Sequence, residues 1–120
     1  METISCLRFD VSALLAKGAW CSFRPGIEIQ RLYGDPATGA AGALLRYQPG
    51  ASLPRHEHVG YEWIWVLAGS QRDEHGEYSA GTLVVNAPRS KHAPHSPNGC
   101  IVLITWEAPV RFDGYRPHSG

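Results

Sequence analysis

His56 and His58 stand two residues apart, and Glu62 follows four residues after the second of them. Successive side chains of a β-strand alternate, so the two imidazoles point to one face. The short Val59-Gly60-Tyr61 bend between them and Glu62 can bring the carboxylate round to the same side. Three ligands then converge on one cation. Imidazole together with carboxylate suits zinc, iron, manganese, copper or nickel, and no cysteine stands close enough to mark a closed structural zinc site.

Glycines frame this cluster. Gly50, His56, His58, Glu62 and Gly69 meet, at every position, the first motif of the cupin family: a glycine, five residues, His-x-His, three or four residues, Glu, six residues and a glycine. The stretch from Gly81 to His92 resembles the second cupin motif less closely, with Ala87 where the family prefers proline and Arg89 where it prefers glycine. His92 is in register with the last histidine of that motif, and the resemblance implies that it is the fourth ligand. His95, three residues on and beyond Pro94, is a loop histidine that could substitute only if the turn is remodelled.

The fuller pattern narrows the resemblance. Pro49-Gly50-Ala51, the run from Asp73 to Tyr78, Ala80-Gly81-Thr82, the run from Ser90 to Pro94, and Gly99-Cys100 are similar to the cupin domain of ChrR-type zinc anti-sigma factors and its stand-alone relatives, over roughly residues 20 to 108. The resemblance implies an all-β jelly roll holding one divalent metal ion, iron or zinc before manganese, nickel or copper. Anti-sigma factors carry their sigma-binding part on a separate N-terminal helical domain, for which this sequence has no room, so the cupin half alone is expected. Relatives of that half include metal-dependent dioxygenases that cleave ketone carbon–carbon bonds.

Three functions are therefore in view. One is a dioxygenase acting on a small diketone or hydroxyketone. Another is a non-catalytic zinc-binding sensor or regulatory module, and the third is a redox-neutral isomerase or lyase using the metal as a Lewis acid. Four protein ligands close a tetrahedral zinc, whereas around a six-coordinate metal they leave two positions for substrate and oxygen. Fold alone decides none of these.

The elements that must position the ligands are short strands. Trp20 to Leu32 turns at Pro25-Gly26 and then alternates, with Ile27, Ile29 and Arg31 on one side and Glu28 and Gln30 on the other. The glycine-rich 34–42 segment is a loop, and Ala43 to Gln48 is the next strand. From Glu62 to Leu67, Ile64 and Val66 share the face of Glu62 and are expected to wall the metal cavity, with Arg46, Tyr47, Tyr61 and Tyr78 as polar candidates near it. Trp63, Trp65 and Leu67 fall on the opposite face, which a second sheet or a second copy of the chain must cover. A hairpin at Glu74-His75-Gly76, a β-branched run from Thr82 to Asn86, and a central apolar strand from Cys100 to Trp106 complete an all-β sandwich or barrel.

Outside this core, Ile4 to Phe9 reads as a short strand, Val11 to Ala16 as a helical turn capped by Asp10 and stopped by Gly18, and 113–120 as a polar, frayed tail. His75 and His118 read as solvated, and Cys100 as a small core residue. The 120 residues form one domain, with residues 1–19 as an N-terminal extension. Eleven basic and eleven acidic residues cancel, which gives no field for nucleic acid or an anionic membrane. Three cysteines without a Cys-x-x-Cys pair point to free thiols in a reducing compartment, and no signal-like or membrane-length apolar run is present, so the cytoplasm is expected. The expected partners are a small molecule and a second copy of the chain, joined through the Trp63/Trp65 face.

Overall fold

The computed structural model describes residues 6–113. One helix, α1 (Val11–Lys17), precedes twelve strands. Asp10 caps the helix by accepting the Ala13 amide at 3.1 Å, and Gly18 ends it by donating its amide to the Leu14 carbonyl. The expected strand over Ile4–Phe9 is absent from its described part, Cys6 to Phe9, which is exposed and irregular; residues 4 and 5 lie outside the described residues. A strand needs a ladder partner, and no strand pairs with this segment.

The strands are β1 (Cys21–Arg24), β2 (Ile27–Gly34), β3 (Ala41–Tyr47), β4 (Ala51–Ser52), β5 (His56–Glu57), β6 (Glu62–Asp73), β7 (Gly76–Ser79), β8 (Leu83–Asn86), β9 (Lys91–His92), β10 (His95–Ser96), β11 (Cys100–Trp106) and β12 (Arg111–Phe112). All pair antiparallel. The main sheet runs β1-β2-β3-β11-β6-β10-β4, with β7 and β8 also on β6, and a smaller sheet runs β12-β5-β9. As the apolar composition of Cys100 to Trp106 predicts, β11 is central, paired with β3 on one side and β6 on the other.

The inner face of the main sheet carries the core: Ile27 and Ile29 from β2, Ala43, Leu45 and Tyr47 from β3, Ile64 and Val66 from β6, and Cys100, Val102 and Ile104 from β11. Each aliphatic side chain buried here contributes roughly 1.5–3 kcal/mol. On the outer face α1 lies over β2, where Gln30 is buried and donates to the Leu14 carbonyl at 2.8 Å. Gln30 is thus a buried partner for the helix end rather than the solvated residue that simple alternation predicts. Arg31 is exposed, because a register shift between Arg31 and Tyr33 interrupts the alternation.

Strand β6 shapes the molecule. Twelve extended residues would span ~36 Å, yet Glu62 at one end and Asp73 at the other both reach the ring of His92. The strand therefore curls. Gly69, at φ 71°, permits this beside a register shift against β11, and a Cβ there would clash with the Gly99 carbonyl oxygen.

Glu62, Ile64 and Val66 share the buried face, as expected. Trp65, however, is 47 % exposed, and Trp63 is half-buried. Among the described residues no second sheet covers them: Trp65 pairs with Leu83 and Trp63 with Val85 of β8, and both β8 residues are themselves exposed.

Candidate metal centre

The four residues singled out by spacing come together. Antiparallel pairing of β5 with β9 sets His56 directly opposite His92, their ring centroids 4.7 Å apart. His58 follows β5 and is held by its backbone, its amide donating to the Ser90 carbonyl and its own carbonyl accepting from the Arg89 amide. Glu62 opens β6. One nitrogen or oxygen atom from each of the four lies within 4.8 Å of those of the others, and all four side chains are buried. His95 lies on β10 and His75 in the exposed hairpin, both outside this cluster; His118 lies outside the described residues.

Hydrogen bonding fixes which nitrogen each histidine presents. His56 Nδ1 is 2.9 Å from the Pro54 carbonyl, His58 Nδ1 is 3.0 Å from the Ser90 carbonyl, and His92 Nδ1 is 3.0 Å from Asp73 Oδ2. Ser90 Oγ, 2.9 Å from His58 Nδ1, gives its own proton to the Ala87 carbonyl and so is an acceptor as well. Each Nδ1 faces acceptors and must carry hydrogen, which leaves each Nε2 as the atom offered to a ligand.

That tautomer pattern is the test of fit for a metal. His92 Nε2 is buried with no hydrogen-bond partner among the described residues, and its nearest carboxylate oxygen, Glu62 Oε1, is 3.9 Å away. His58 Nε2 faces the same oxygen at 3.1 Å. A nitrogen lone pair against a carboxylate oxygen is repulsive unless a proton or a metal ion lies between, and a buried orphan acceptor is costly. A divalent cation satisfies all four atoms at once. The donor set therefore fits a metal ion, and the cluster can hold one.

Burial lowers the His56 pKa from its usual value, partly offset by the bond to Pro54 and reinforced by His92, so this imidazole resists protonation. Burial pushes Asp73 upward, but hydrogen bonds from His92, the His75 amide and the Tyr78 hydroxyl outweigh it and hold the carboxyl below its usual value. An anionic Asp73 in turn fixes the His92 tautomer. In the sequence Asp73 stands out only as the start of the Asp73–Tyr78 run that carries the family resemblance, just before the Glu74-His75-Gly76 hairpin; the orienting roles of Asp73, Ser90 and Asn86, whose amide donates to Glu62 Oε1 at 3.2 Å, are not legible there. The available signal was the placement of Asp73 at the hairpin foot, where Oδ1 accepts the His75 amide and leaves Oδ2 free.

Arg89 explains the departure in the second motif. It adopts φ 77°, the left-handed backbone for which glycine is preferred, in the turn closed by the Ser90 amide on the Ala87 carbonyl. The turn holds a non-glycine residue in left-handed backbone, and it delivers Ser90 to His58.

The cavity beside the cluster has a volume of about 220 Å³. His56 and Glu62 form part of its wall, and Phe23, Leu45, Leu53, Ile104, Trp106 and Phe112 form most of the rest. Ile64 and Val66, expected in that wall, lie in the core instead, packed with Val102 and Ile104 rather than open to the cavity. The expected polar neighbours also fall elsewhere. Arg46 pairs with Glu28 at 2.7 Å and stacks on Trp20, Tyr61 is exposed, and Tyr78 binds Asp73. Tyr47 is buried in the core, where burial, Cys100 and Glu62 push its hydroxyl pKa up and a bond with Gln71 acts the other way. Cys100 is buried, and its thiol is likewise pushed up by burial.

The profile of the ChrR cupin-like domain matches residues 10–111. The chain belongs to this family. The cupin-like domain is 36 % identical over 85 residues to the anti-sigma-E factor ChrR of Cereibacter sphaeroides, a match spanning 68 % of this chain and 40 % of that protein. Its fold is similar to that of ChrR in complex with SigE from Rhodobacter sphaeroides, with a TM-score of 0.66, 21 % identity, and coverage of 88 % of this chain and 70 % of that one. It is also similar to an acetylacetone dioxygenase from Acinetobacter johnsonii, with a TM-score of 0.79, 16 % identity, and coverage of 99 % of this chain and 85 % of that one. These structural likenesses establish a cupin fold. No helix among the described residues of the ChrR cupin-like chain is long and apolar enough to cross a membrane.

Proposed function

We propose that His56, His58, Glu62 and His92 hold one divalent metal ion, and that this cupin is a metal-dependent dioxygenase acting on a small diketone or hydroxyketone. The observation that carries the reading is the juxtaposition of a buried, tautomer-fixed ligand cluster with an apolar cavity. Iron bound there supplies Lewis-acid activation of the carbonyl oxygens and redox chemistry toward oxygen. The chain's own residues do the rest. Asp73, Ser90 and the Pro54 carbonyl hold the imidazoles in the ligating tautomer. Phe23, Leu45, Ile104 and Trp106 exclude water and shape the site to a molecule smaller than those that fill the ~300–1,000 Å³ pockets of drug-sized ligands.

Elemental analysis of protein purified without added metal or chelator, followed by anaerobic iron reconstitution and oxygen uptake with a panel of diketones and hydroxyketones, tests the reading. Iron with substrate-dependent uptake supports it. Stoichiometric zinc with no uptake after reconstitution sinks it.

The 36 % identity to an anti-sigma-E factor favours a second reading, a zinc-holding regulatory module in which the metal fixes a binding surface. The match lies within 40 % of that protein's length, so a sigma-factor partner is itself part of this second proposal. We also propose that a second copy of the chain covers the Trp65 face and that the protein works in the cytoplasm.

A further inference from the structure

Among the described residues, Arg24 is the one cationic side chain in the cavity wall that also contains His56 and Glu62. It ends β1 at the Pro25-Gly26 turn, where Gly26 takes φ 76°, so its position is set by a strand and a tight turn. Its guanidinium lies 4.4 Å from the centroid of the Phe112 ring, and the same ring packs 5.4 Å from that of His56. One aromatic residue thus touches both a candidate metal ligand and the cation.

Arg46, Arg55 and Arg72 each have a carboxylate oxygen at 2.7–3.1 Å, whereas Arg24 has no ion pair among the described residues. It is half-buried against apolar walls all the same. A guanidinium stacked on a ring has one face covered, while the in-plane N–H fork remains open to a carboxylate. A charge held beside a cavity without a protein counter-ion is stabilised when an anion enters.

We propose that the substrate of this cavity is an anionic carbonyl compound, a diketone or hydroxyketone carrying a carboxylate away from its metal-binding oxygens, and that Arg24 is the residue that selects it. The inference rests on the metal-and-cavity reading above and names the substrate class for it. The carbonyl oxygens go toward the His56/Glu62 end, the carbon skeleton lies along Leu45, Ile104 and Trp106, and the carboxylate meets Arg24.

The probes are succinylacetone, a 1,3-diketone with a carboxylate two methylenes away, and its uncharged methyl ester. Binding to the protein as purified, with its own metal and under nitrogen so that no oxygen-dependent turnover runs, is followed by tryptophan fluorescence, since Trp106 lines the cavity. Wild-type protein is expected to bind the acid about tenfold more tightly than the ester, as a charge-assisted fork warrants. Arg24→Met removes that preference and leaves ester affinity within about twofold, while Arg24→Lys, which keeps the charge but not the fork, retains part of it.

A wild-type preference under twofold, the same preference in Arg24→Met, or no binding of either probe overturns the proposal. So does a parallel loss of both probes in Arg24→Met and Arg24→Lys, which is what a mere clamp on Phe112 would give. Oxygen uptake by iron-loaded protein separates this from the function proposed above. Arg24-dependent binding without uptake leaves the substrate class standing and the oxygenase reading fallen; equal turnover of acid and ester by wild type and Arg24→Met does the reverse.

Discussion

The three histidines of the cluster reach it with Nδ1 already committed, so the residues that hold those atoms control metal affinity. Asp73 has two oxygens and three donors: Oδ1 takes the His75 amide and the Tyr78 hydroxyl, and Oδ2 takes His92. In Asp73→Asn the single amide oxygen stays with the first two, and the NH2 group then faces His92 Nδ1. Hydrogen moves to Nε2 and blocks ligation. Metal affinity is expected to fall 10–100-fold, measured by competition with a chelator; unchanged affinity would show that the tautomer is set some other way. His56 gives a pH dependence to the metal-free protein. Its folded pKa lies below its usual value of 6.5, so the unfolded chain takes up a proton first as pH falls. Stability is full above pH 6.5 and declines as pH falls from there toward the folded pKa. Urea midpoints of chelator-treated protein should drop across that window, and His56→Gln should flatten the drop. The ligands were legible because the fixed motif spacing is local. Asp73, nineteen residues from His92, and Arg24, thirty-two from His56, were not, because only tertiary pairing brings them near.

At the scale of elements, one turn holds His58 against the second motif. The Ala87–Ser90 turn carries Arg89 at φ 77° and hands Ser90 to His58. Left-handed backbone costs a non-glycine residue ~1–2 kcal/mol, while glycine gives back part of that through the greater freedom of its unfolded chain. Arg89→Gly is therefore expected to stabilise the fold by ~0.5 kcal/mol, a rise in Tm of ~2–4 °C, with metal content unchanged; a lower Tm would mean that the Arg89 side chain makes a contribution its exposed position does not suggest. The two-residue strands β5 and β9 carry His56 and His92, and β12 carries Phe112 of the cavity wall; elements so short carry no periodic signal. That is why residues 109–112 of the cavity wall were invisible in the sequence. Phe112 meets His56 only because β12 pairs with β5 across more than fifty residues. The long apolar strand β11 was legible for the opposite reason, since seven mostly apolar residues bounded by turn signals announce a buried strand unaided.

Across the whole molecule, the curl of β6 divides two surfaces of opposite character. Its concave side is filled by core and ligand cluster. The convex side presents Trp65, Leu83 and Val85, each about half exposed, on adjoining strands β6 and β8. The sequence placed two tryptophans on one face and so announced an apolar patch, but not what covers it, since alternation tells faces apart without saying what packs on them. Within the described chain α1 reaches Gln30 on β2, and β8 beside Trp65 stays open. The proposed occupant is a second copy of the chain: two such faces related by a two-fold axis would be self-complementary, and the net charge of 11 basic against 11 acidic residues opposes no self-association. Sedimentation at tens of micromolar, an order-of-magnitude choice above ordinary dimer dissociation constants, should show a dimer for the wild-type protein. Trp65→Glu should be monomeric while keeping its metal, because Trp65 points away from the ligand cluster. A monomeric wild type would instead leave the patch for another protein. A dimer that survives Trp65→Glu would place the interface elsewhere, since a carboxylate cannot be buried unpaired at the centre of an apolar contact without weakening it severely.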